Sequence, residues 1–295
     1  MDLKSQIKKF LKGEVANDEQ TLNTFSKDAS IFQIKPQLIV SPLNSDDLQK
    51  LVAFVAKQSG LSLTARSAGT CMSGGAINDS IIVDMTQHFN KIIKVAVDYA
   101  VTQPGVFYRD FEKQTLTQNA ILPSYTASRE INTVGGMVGN NSAGEKTLSC
   151  GQTDRYVRRL KVVLVDGKEY EVKPLNKDEL KKKMNQKDFE GQFYRRVYQL
   201  VSDNYLLIKK SKPKTSKNSA GYLLWDVWDQ TTFDLTKIFV GSQGTLGIVT
   251  EIEFGLVPVK PYQKTLILEM SSLEHLDQIV NQILFFKPES FECFD

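Results

Sequence analysis

The residues best suited to hold a charged ligand lie at 66–76 and read R-S-A-G-T-C-M-S-G-G-A. Gly69, Gly74 and Gly75, with serines and alanines around them, let backbone come close to something bulky. Successive backbone N–H groups in such a turn form a concavity suited to a phosphate or pyrophosphate. The chemistry predicted is capture of a cofactor's diphosphate. Two familiar phosphate loops fail on counting. Gly69 and Gly74 have the gap of a Walker loop, but Gly75 and Ala76 stand where lysine and a hydroxyl are needed. A Gly-x-Gly-x-x-Gly fingerprint also fails, because Cys71 takes the place of the second glycine and a strand follows. Taken alone, the loop reads equally well as an ordinary glycine-rich turn.

Two further stretches share its character. Residues 123–157 contain five glycines, paired asparagines and many hydroxyls, and almost no large apolar side chain after Val138. Such a segment is an exposed loop or a lining around a polar ligand; its length favours a lining. Residues 239–251, F-V-G-S-Q-G-T-L-G-I-V-T-E, repeat glycine every third position between two apolar runs read as strands. A tight turn at 241–244 hands into a strand whose backbone passes close to a ligand. Together the three stretches read as three walls of one site.

The elements that position them follow from periodicity. Residues 1–27 read as a polar, helical lead-in. A buried strand at 37–40 precedes a helix starting at Ser45, with Leu48, Leu51, Val52 and Val55 on one face and Gly60 as its stop. Apolar runs at 61–63 and 81–83 flank the first loop, so strand, helix, strand predicts parallel pairing with a right-handed crossover. Two extended runs at 92–97 and 99–103 and a helix over 107–118 follow. Runs at 160–165 and 168–172 around Asp166-Gly167 predict a hairpin. Residues 174–187 read as a solvated lysine-rich helix or loop, 189–210 as an amphipathic helix with Phe193, Val197, Leu200, Val201 and Tyr205 inward, and 212–217 as a polar loop. A strand at 264–270 and a helix at 272–286 close the pattern. The mixture predicts an α+β fold with at least two small sheets.

Composition narrows the function. The chain has 295 residues, 41% hydrophobic and 24% charged, with a net charge of +3. That is ordinary globular composition with a substantial core, and the small charge gives no argument for nucleic acid. No apolar run approaches the roughly 18 residues of a membrane span, and the first residues lack an apolar leader core, so a cytoplasmic location is expected, with peripheral membrane attachment left open. Cys71, Cys150 and Cys293 are widely spaced and odd in number, against a disulfide framework, and form no C-x-x-C metal pair. No metal is expected. His88 and His275 lie in no polar motif and read as surface or structurally satisfied histidines.

In order and spacing, R-S-A-G-T-C-M-S-G-G-A, T-V-G-G-M-V-G-N-N-S-A-G and G-S-Q-G-T-L-G-I-V-T resemble flavoproteins of the vanillyl-alcohol oxidase and p-cresol methylhydroxylase class, over about residues 28–258. The branch most similar is that of D-lactate dehydrogenase and glycolate oxidase. The resemblance implies FAD held between two subdomains, one with a small parallel-containing sheet and one with a larger, mainly antiparallel sheet, both flanked by helices. It implies a lead-in at 1–35, an FAD-binding domain at 36–258 divided into 36–105 and 106–258, and the start of a truncated cap at 259–295. It assigns the diphosphate to Arg66, Ser67, Ala68, Gly69, Thr70, Cys71 and Met72, and places residues 127–133 (Ala127, Ser128 and Thr133 among them), Gly135 and Gly136 close to the flavin and diphosphate. Asn140, Asn141, Ser142 and Ala143 form the next lining turn. Gln243, Gly244, Thr245, Gly247, Ile248 and Val249 lie toward adenine and ribose, and residues 217–222 approach the flavin ring.

Three departures shape the expectation. Thr70 and Cys71 stand where some relatives attach FAD through histidine, which predicts non-covalent FAD. Gln243 replaces a customary glutamate and removes a charge. The chain stops where relatives continue into a cap that carries substrate-binding and catalytic groups, which predicts an open flavin face and an apolar patch at Phe285, Phe286 and Phe291. No catalytic residue is assigned. The expected activity is that of a D-2-hydroxy-acid dehydrogenase, in which a small 2-hydroxy acid gives a hydride from its α-carbon to flavin N5, with the electron acceptor unspecified. Two alternatives stand beside it: an FAD-binding module or subunit that needs a partner chain or self-association for turnover, and a reductase of the UDP-N-acetylenolpyruvoylglucosamine type.

Overall fold

The computed structural model describes residues 2–215 and 217–294. Met1, Ser216 and Asp295 lie outside the described residues, and with Ser216 so does one position of the polar loop expected at 212–217. The chain folds as α+β around two principal sheets.

The first sheet belongs to the N-terminal third. Helix α1 (Leu3–Lys8), strand β1 (Glu14–Ala16) and helix α2 (Glu19–Phe25) replace the continuous helix expected over 1–27. Asp2 and Asp18 each cap a short helix through a side-chain carboxylate, so two starts are encoded where composition suggested one. Strand β2 (Leu38–Ser41), helix α3 (Ser45–Val55), strand β3 (Leu63–Arg66) and strand β4 (Ile81–Asp84) follow. The order is β1-β2-β4-β3. Strand β4 pairs parallel with both β2 and β3, and β1 adds antiparallel at the edge. Strands β2 and β4 are buried throughout, which explains their unbroken apolar runs.

The second half opens with strands β5 (Ile92–Val95) and β6 (Tyr99–Thr102), helix α4 (Tyr108–Leu116) and the short strand β7 (Ala120–Ile121). Helices α5 (Val134–Asn140) and α6 (Thr147–Cys150) lie inside the polar stretch, which therefore is not a bare loop. Val134, Met137 and Val138 anchor α5 in the core. Strands β8 (Val157–Val163) and β9 (Glu169–Val172) form the predicted hairpin around Gly167, whose φ of +77° suits glycine. Strand β10 (Pro174–Asn176), the lysine-rich helix α7 (Lys177–Met184), α8 (Phe189–Asp203) and α9 (Tyr205–Lys210) come next. The single helix expected over 189–210 breaks at Asn204, and Leu200 turns out to be half exposed while Tyr194 is buried. Strand β11 (Thr232–Asp234), helix α10 (Thr236–Phe239), strand β12 (Ile248–Gly255) and strand β13 (Val257–Pro258) complete this half. The apolar run before Gly241 is thus a helical turn, not a strand. The second sheet has the order β5-β6-β12-β8-β9 and is antiparallel throughout.

The sheets are joined through α3 and the β8–β9 hairpin. Val163 and Ile248 of the second sheet pack into the core of the first. Glu169 accepts hydrogen bonds from Ser45 Oγ at 2.7 Å and Thr250 Oγ1 at 2.6 Å, tying α3 to both β9 and β12.

Residues 264–270 form no strand: residues 264–269 are exposed with no sheet neighbour among the described residues, and a short apolar run cannot make a strand without an edge to pair with. The last helix, α11, spans Leu276–Phe285. Phe285 and Phe286 are exposed, while Phe291 is half-buried, so the expected patch forms from two of its three aromatics. No helix among the described residues is long and apolar enough to cross a membrane.

Asp47 tests how the lead-in is fastened. Its buried carboxylate accepts from the backbone N–H groups of Lys12, Gly13 and Leu43, binding the β1 entry to α3. We expect Asp47→Ala to destabilise the fold by about 3 kcal/mol, because three part-buried backbone donors lose a charged acceptor. Urea unfolding of the purified chain measures it; a loss under ~0.5 kcal/mol would show that the N-terminal segment is held by apolar contacts alone.

Candidate functional site

The three glycine-bearing stretches meet in one cavity between the two sheets. Its walls are Ser67, Gly69, Thr70, Cys71 and Gly75 from the loop between β3 and β4; Ser128, Gly135, Gly136, Asn140 and Ser142 around α5; and Gln243, Gly244, Gly247, Ile248 and Val249 leading into β12. Fourteen of the expected site residues face it. The order of the fold explains the meeting. Strand β3 ends at the cavity, α5 starts there, and β12 begins there beside β8.

The loop after β3 is shaped from beneath by Arg66. That side chain is nearly buried; Nη1 donates to the carbonyls of Phe25 and Ala76, both at 3.2 Å, and the guanidinium stacks on the Phe25 ring. Gly69 takes a left-handed φ of +71° directly over it, and a side chain at Gly69 would place its Cβ 2.5 Å from Arg66 Nη2. Ala29 N donates to Gly69 O, and Ala76 N to Asp28 Oδ2. Burial lowers the Arg66 pKa, and the charges of Asp28 and Asp84 oppose that shift. Arg66 therefore organises the loop from within and does not line the cavity.

The loop's own donors are left open. Among the described residues, no protein acceptor takes the backbone N–H of residues 67–75. A run of unpaired N–H groups beside a cavity is what an anionic oxygen requires.

The start of α5 is built differently. Thr133 caps it by accepting from Gly136 N, Val134 N donates to Val106 O, and Gly135 N donates to Pro104 O. A Cβ at Gly135 would come within 2.7 Å of Pro104 O, so glycine is needed for this close approach. Asn141 ends the helix at a φ of +48°; its carbonyl accepts from Gln152 Nε2 and its side chain from Asp154 N. Thr133 and Asn141 are thus framework residues. Ala68, Met72, Ala127, Ala143 and Thr245 also fall outside the cavity wall. Met72 is exposed, and Thr245 Oγ1 pairs with Tyr222 OH at 2.9 Å. That pair draws residues 217–222 to the rim, where Asn218 N also donates to Gln152 Oε1. Gln243 holds a φ of +53°, donates from its backbone to Gly139 O, and directs its side-chain amide toward Gly75.

The wall also contains residues that were not singled out, most of them inside the three stretches read as walls. Gly139 and Ser142 share one motif, yet only Ser142 was assigned. Thr126 and Asn132 flank assigned residues. Ala65, Ala76, Met85, Pro104, Phe239 and Ser242 also line the cavity. Met85 and Pro104 carry no local signal: each reaches the site because a strand ends beside it. Apart from Cys71, the described wall has no titratable side chain. Cys71 Sγ lies 3.1 Å from Ser73 Oγ. His88 bonds Glu14 at 2.6 Å, and His275 precedes α11; neither reaches the cavity. No cluster of metal-ligating side chains occurs among the described residues.

Comparison with known proteins follows this geometry. Residues 36–173 match the FAD binding domain family. The chain is 27% identical over 291 residues to D-2-hydroxyglutarate dehydrogenase of Pseudomonas putida, covering 96% of this chain and 29% of that protein. It is 27% identical over 277 residues to the glycolate oxidase subunit GlcD of Bacillus subtilis, covering 92% of this chain and 48% of that protein. Among solved structures, alkyldihydroxyacetonephosphate synthase superposes with a TM-score of 0.60 at 19% identity, covering 88% of this chain and 40% of that one. That last likeness is one of fold. The chain spans less than half the length of each of these proteins. The family resemblance read from the glycine stretches is borne out, and so is the α+β fold with its parallel-containing and antiparallel sheets.

Arg66→Ala should remove the loop's internal support. We expect a loss of roughly 1–3 kcal/mol of stability in urea, since two buried carbonyls lose a charged donor. FAD affinity should fall with it. Retained stability together with lost affinity would instead mark Arg66 as a direct ligand.

Proposed function

Because the chain carries an FAD binding domain, we propose that it is the FAD-holding part of a dehydrogenase acting on small D-2-hydroxy acids. The observation that carries this reading is the run of N–H groups at 67–75 without a protein acceptor, in a loop whose Ser67, Gly69, Thr70, Cys71 and Gly75 line a cavity with no charged side chain on its described wall. Those donors suit the two negative charges of a diphosphate without a competing carboxylate. The glycines and small side chains of the three walls leave width for planar rings, and Met85, Phe239, Ile248 and Val249 give apolar surface for them.

FAD supplies the electron chemistry when bound: it accepts a hydride from the substrate's α-carbon. The residues of this chain do the rest of the work at the cofactor. The loop at 67–75 fixes the phosphates, α5 and its cap hold the central wall rigid, and the turn at 241–247 sets the third wall by the bond from Gln243 N to Gly139 O. Apart from Cys71, the described wall holds no titratable side chain to accept the substrate's hydroxyl proton. Tyr125, beside the site, is unsuited as a base, because burial and then the neighbouring Glu145 push its hydroxyl pKa well above the ordinary value. The base and the anchor for the acid's carboxylate therefore belong to surfaces outside this cavity, and their identity awaits assignment.

We read the FAD as non-covalent, since the loop offers Thr70 and Cys71 and no histidine. The exposed Phe285 and Phe286 support self-association as the way such a surface is covered. Size-exclusion chromatography tests this, and a monomer at every concentration would remove it.

The decisive experiment is the visible spectrum of the purified chain with FAD, before and after acid precipitation. We expect flavin bands on the folded protein and release of all flavin to the supernatant. Colour retained in the pellet would overturn the non-covalent reading, and no binding at any FAD concentration would overturn the cofactor reading. Anaerobic addition of D-2-hydroxyglutarate, D-lactate or glycolate then tests the substrate class by bleaching of the flavin band. Bleaching by NADPH and by none of the acids would favour the reductase alternative.

A further inference from the structure

We propose that the surface running from helix α9 to Lys217 docks the protein on an anionic lipid bilayer, with Leu206 and Leu207 entering the interface and the lysines beside them meeting lipid phosphates. The proposal is independent of the FAD reading, because it concerns a surface that no wall of the cofactor cavity uses.

Between Asp203 and Asp226 the chain has five lysines, Lys209, Lys210, Lys212, Lys214 and Lys217, and no acidic residue. The whole chain has 37 basic and 34 acidic residues, so without these five it would be net negative. The positive charge is therefore local. A lysine cluster of this size beside an apolar helix face attracts anionic headgroups.

The fold presents the cluster outward. In α9, Ile208 is buried and Tyr205 and Lys209 are half-buried, which leaves Leu206, Leu207 and Lys210 on the outer face. Leu206 is 82% exposed and Leu207 63%. Lys209 Nζ donates to Trp225 O at 2.6 Å, and Lys212 Nζ pairs with Asp226 at 2.9 Å. These bonds fasten the end of α9 and the start of the following loop to one turn, Leu224–Asp226. Lys210, Lys214 and Lys217 are exposed, and their ammonium groups have no partner among the described residues. Two lysines thus hold the segment, and three are left to meet an external anion.

Other surfaces lack this combination. Helix α7 is also rich in lysine, but it starts with Asp178 and Glu179 and packs Leu180 and Met184 inward. Phe285 and Phe286 are exposed, yet they follow Glu274 and Asp277 and precede Glu289 and Glu292, with Lys287 the one lysine or arginine over 271–295. An anionic surface repels that patch.

The exposure also selects the occupant. A leucine that stands so far out of the surface lines no groove, so a folded partner finds no pocket there. A bilayer interface is fluid, takes apolar side chains below its headgroups and supplies phosphates at any lateral position. Lys217 adjoins Asn218, whose N–H is held by Gln152 at the cavity rim. Docking here brings that rim close to the bilayer.

Flotation of the purified chain with vesicles tests this, using phosphatidylcholine alone and an equal mixture of phosphatidylcholine and phosphatidylglycerol. We expect binding to the mixed vesicles only, weakening as salt is raised. Lys210→Gln, Lys214→Gln and Lys217→Gln together should raise the vesicle dissociation constant roughly 100-fold, about fivefold for each charge near the surface. Leu206→Ser with Leu207→Ser should weaken binding by about 10-fold or more. Phe285→Ser with Phe286→Ser should leave it unchanged. All these side chains are exposed, so each variant should melt as wild type does. Lys210→Arg, Lys214→Arg and Lys217→Arg together should bind as wild type, which separates charge from folding if the glutamine variant melts lower. Leu206→Ala with Leu207→Ala does the same for the leucines. Equal binding to both vesicles, no binding by wild type, or unchanged binding of the glutamine or serine variant at the docking surface would overturn the proposal. Loss of binding in the phenylalanine variant would overturn it too. Oligomers that dissociate in the glutamine variant, without vesicle binding by wild type, would assign the surface to an acidic face of a second copy instead.

Discussion

The site depends on a backbone segment that leaves its N–H groups unpaired and yet holds still. Nine consecutive residues whose backbone N–H groups find no protein acceptor would ordinarily wander, because little offsets the entropy of fixing them. Here the order comes from below. Arg66 reaches under the loop to Phe25 and Ala76, Gly69 folds over the guanidinium in a left-handed conformation, and Asp28 and Ala29 grip the two ends. Every strong bond that fixes the loop uses its carbonyls, its flanks or the arginine. The N–H groups remain without a protein acceptor, in a loop five of whose residues line the cavity. This asymmetry also explains why the N-terminal segment belongs to the site's support: Phe25 and Asp28 come from it, and β1 fastens it to the sheet.

The cavity needs the two sheets held in register with each other, and one buried contact set does this. Helix α3 is capped by Asn44, carries Asp47 and Leu51 inward, and meets the β8–β9 hairpin at Gly167 beside Ala53. Glu169 then collects hydroxyls from α3 and β12. The third wall of the cavity begins where β12 begins, so a slip of α3 against the hairpin would move Gln243–Val249 relative to the first loop. The antiparallel sheet adds stiffness on its other face, where Arg159 bridges Glu251, Glu253 and Glu171 across three strands.

Much of this was legible in the sequence, and the reasons differ by residue. The strands β2 and β4 are uninterrupted apolar runs because both faces are covered, and Asp166-Gly167 fixes its hairpin locally. The three glycine stretches pointed to one site because small residues mark close backbone approach wherever it occurs. What failed was any inference that needed partners. Arg66 was placed against the phosphate, but its side chain finds backbone carbonyls. Thr133 and Asn141 looked like lining and are the two caps of α5, a short helix that the glycine content had hidden. The run at 264–270 has the short apolar core of a strand, Leu266-Ile267-Leu268, and no edge to join among the described residues. Pro104 and Met85 reach the wall through tertiary contacts, which leave no trace in neighbouring residues.

The chemical character of the wall sets a limit on what this part of the protein does. A surface that abstracts protons needs a titratable group with its pKa moved toward neutrality, and burial or a like charge is the means of moving it. The described cavity has neither carboxylate, histidine nor lysine on it, and the tyrosine beside it is shifted away from neutrality. Besides the Cys71 thiol, its polar atoms are backbone N–H groups, hydroxyls and amides, which bind and orient without exchanging protons. A wall so composed keeps its hydrogen-bond pattern unchanged with pH, a property suited to holding a redox cofactor in one geometry. It follows that binding of the cofactor by this chain should be nearly independent of pH between the carboxylate and cysteine ranges, while any turnover should carry the pH dependence of groups that lie elsewhere. A steep change in FAD affinity between about pH 5.5 and 7.5 would contradict this division of labour, and fluorescence titration across that interval measures it directly.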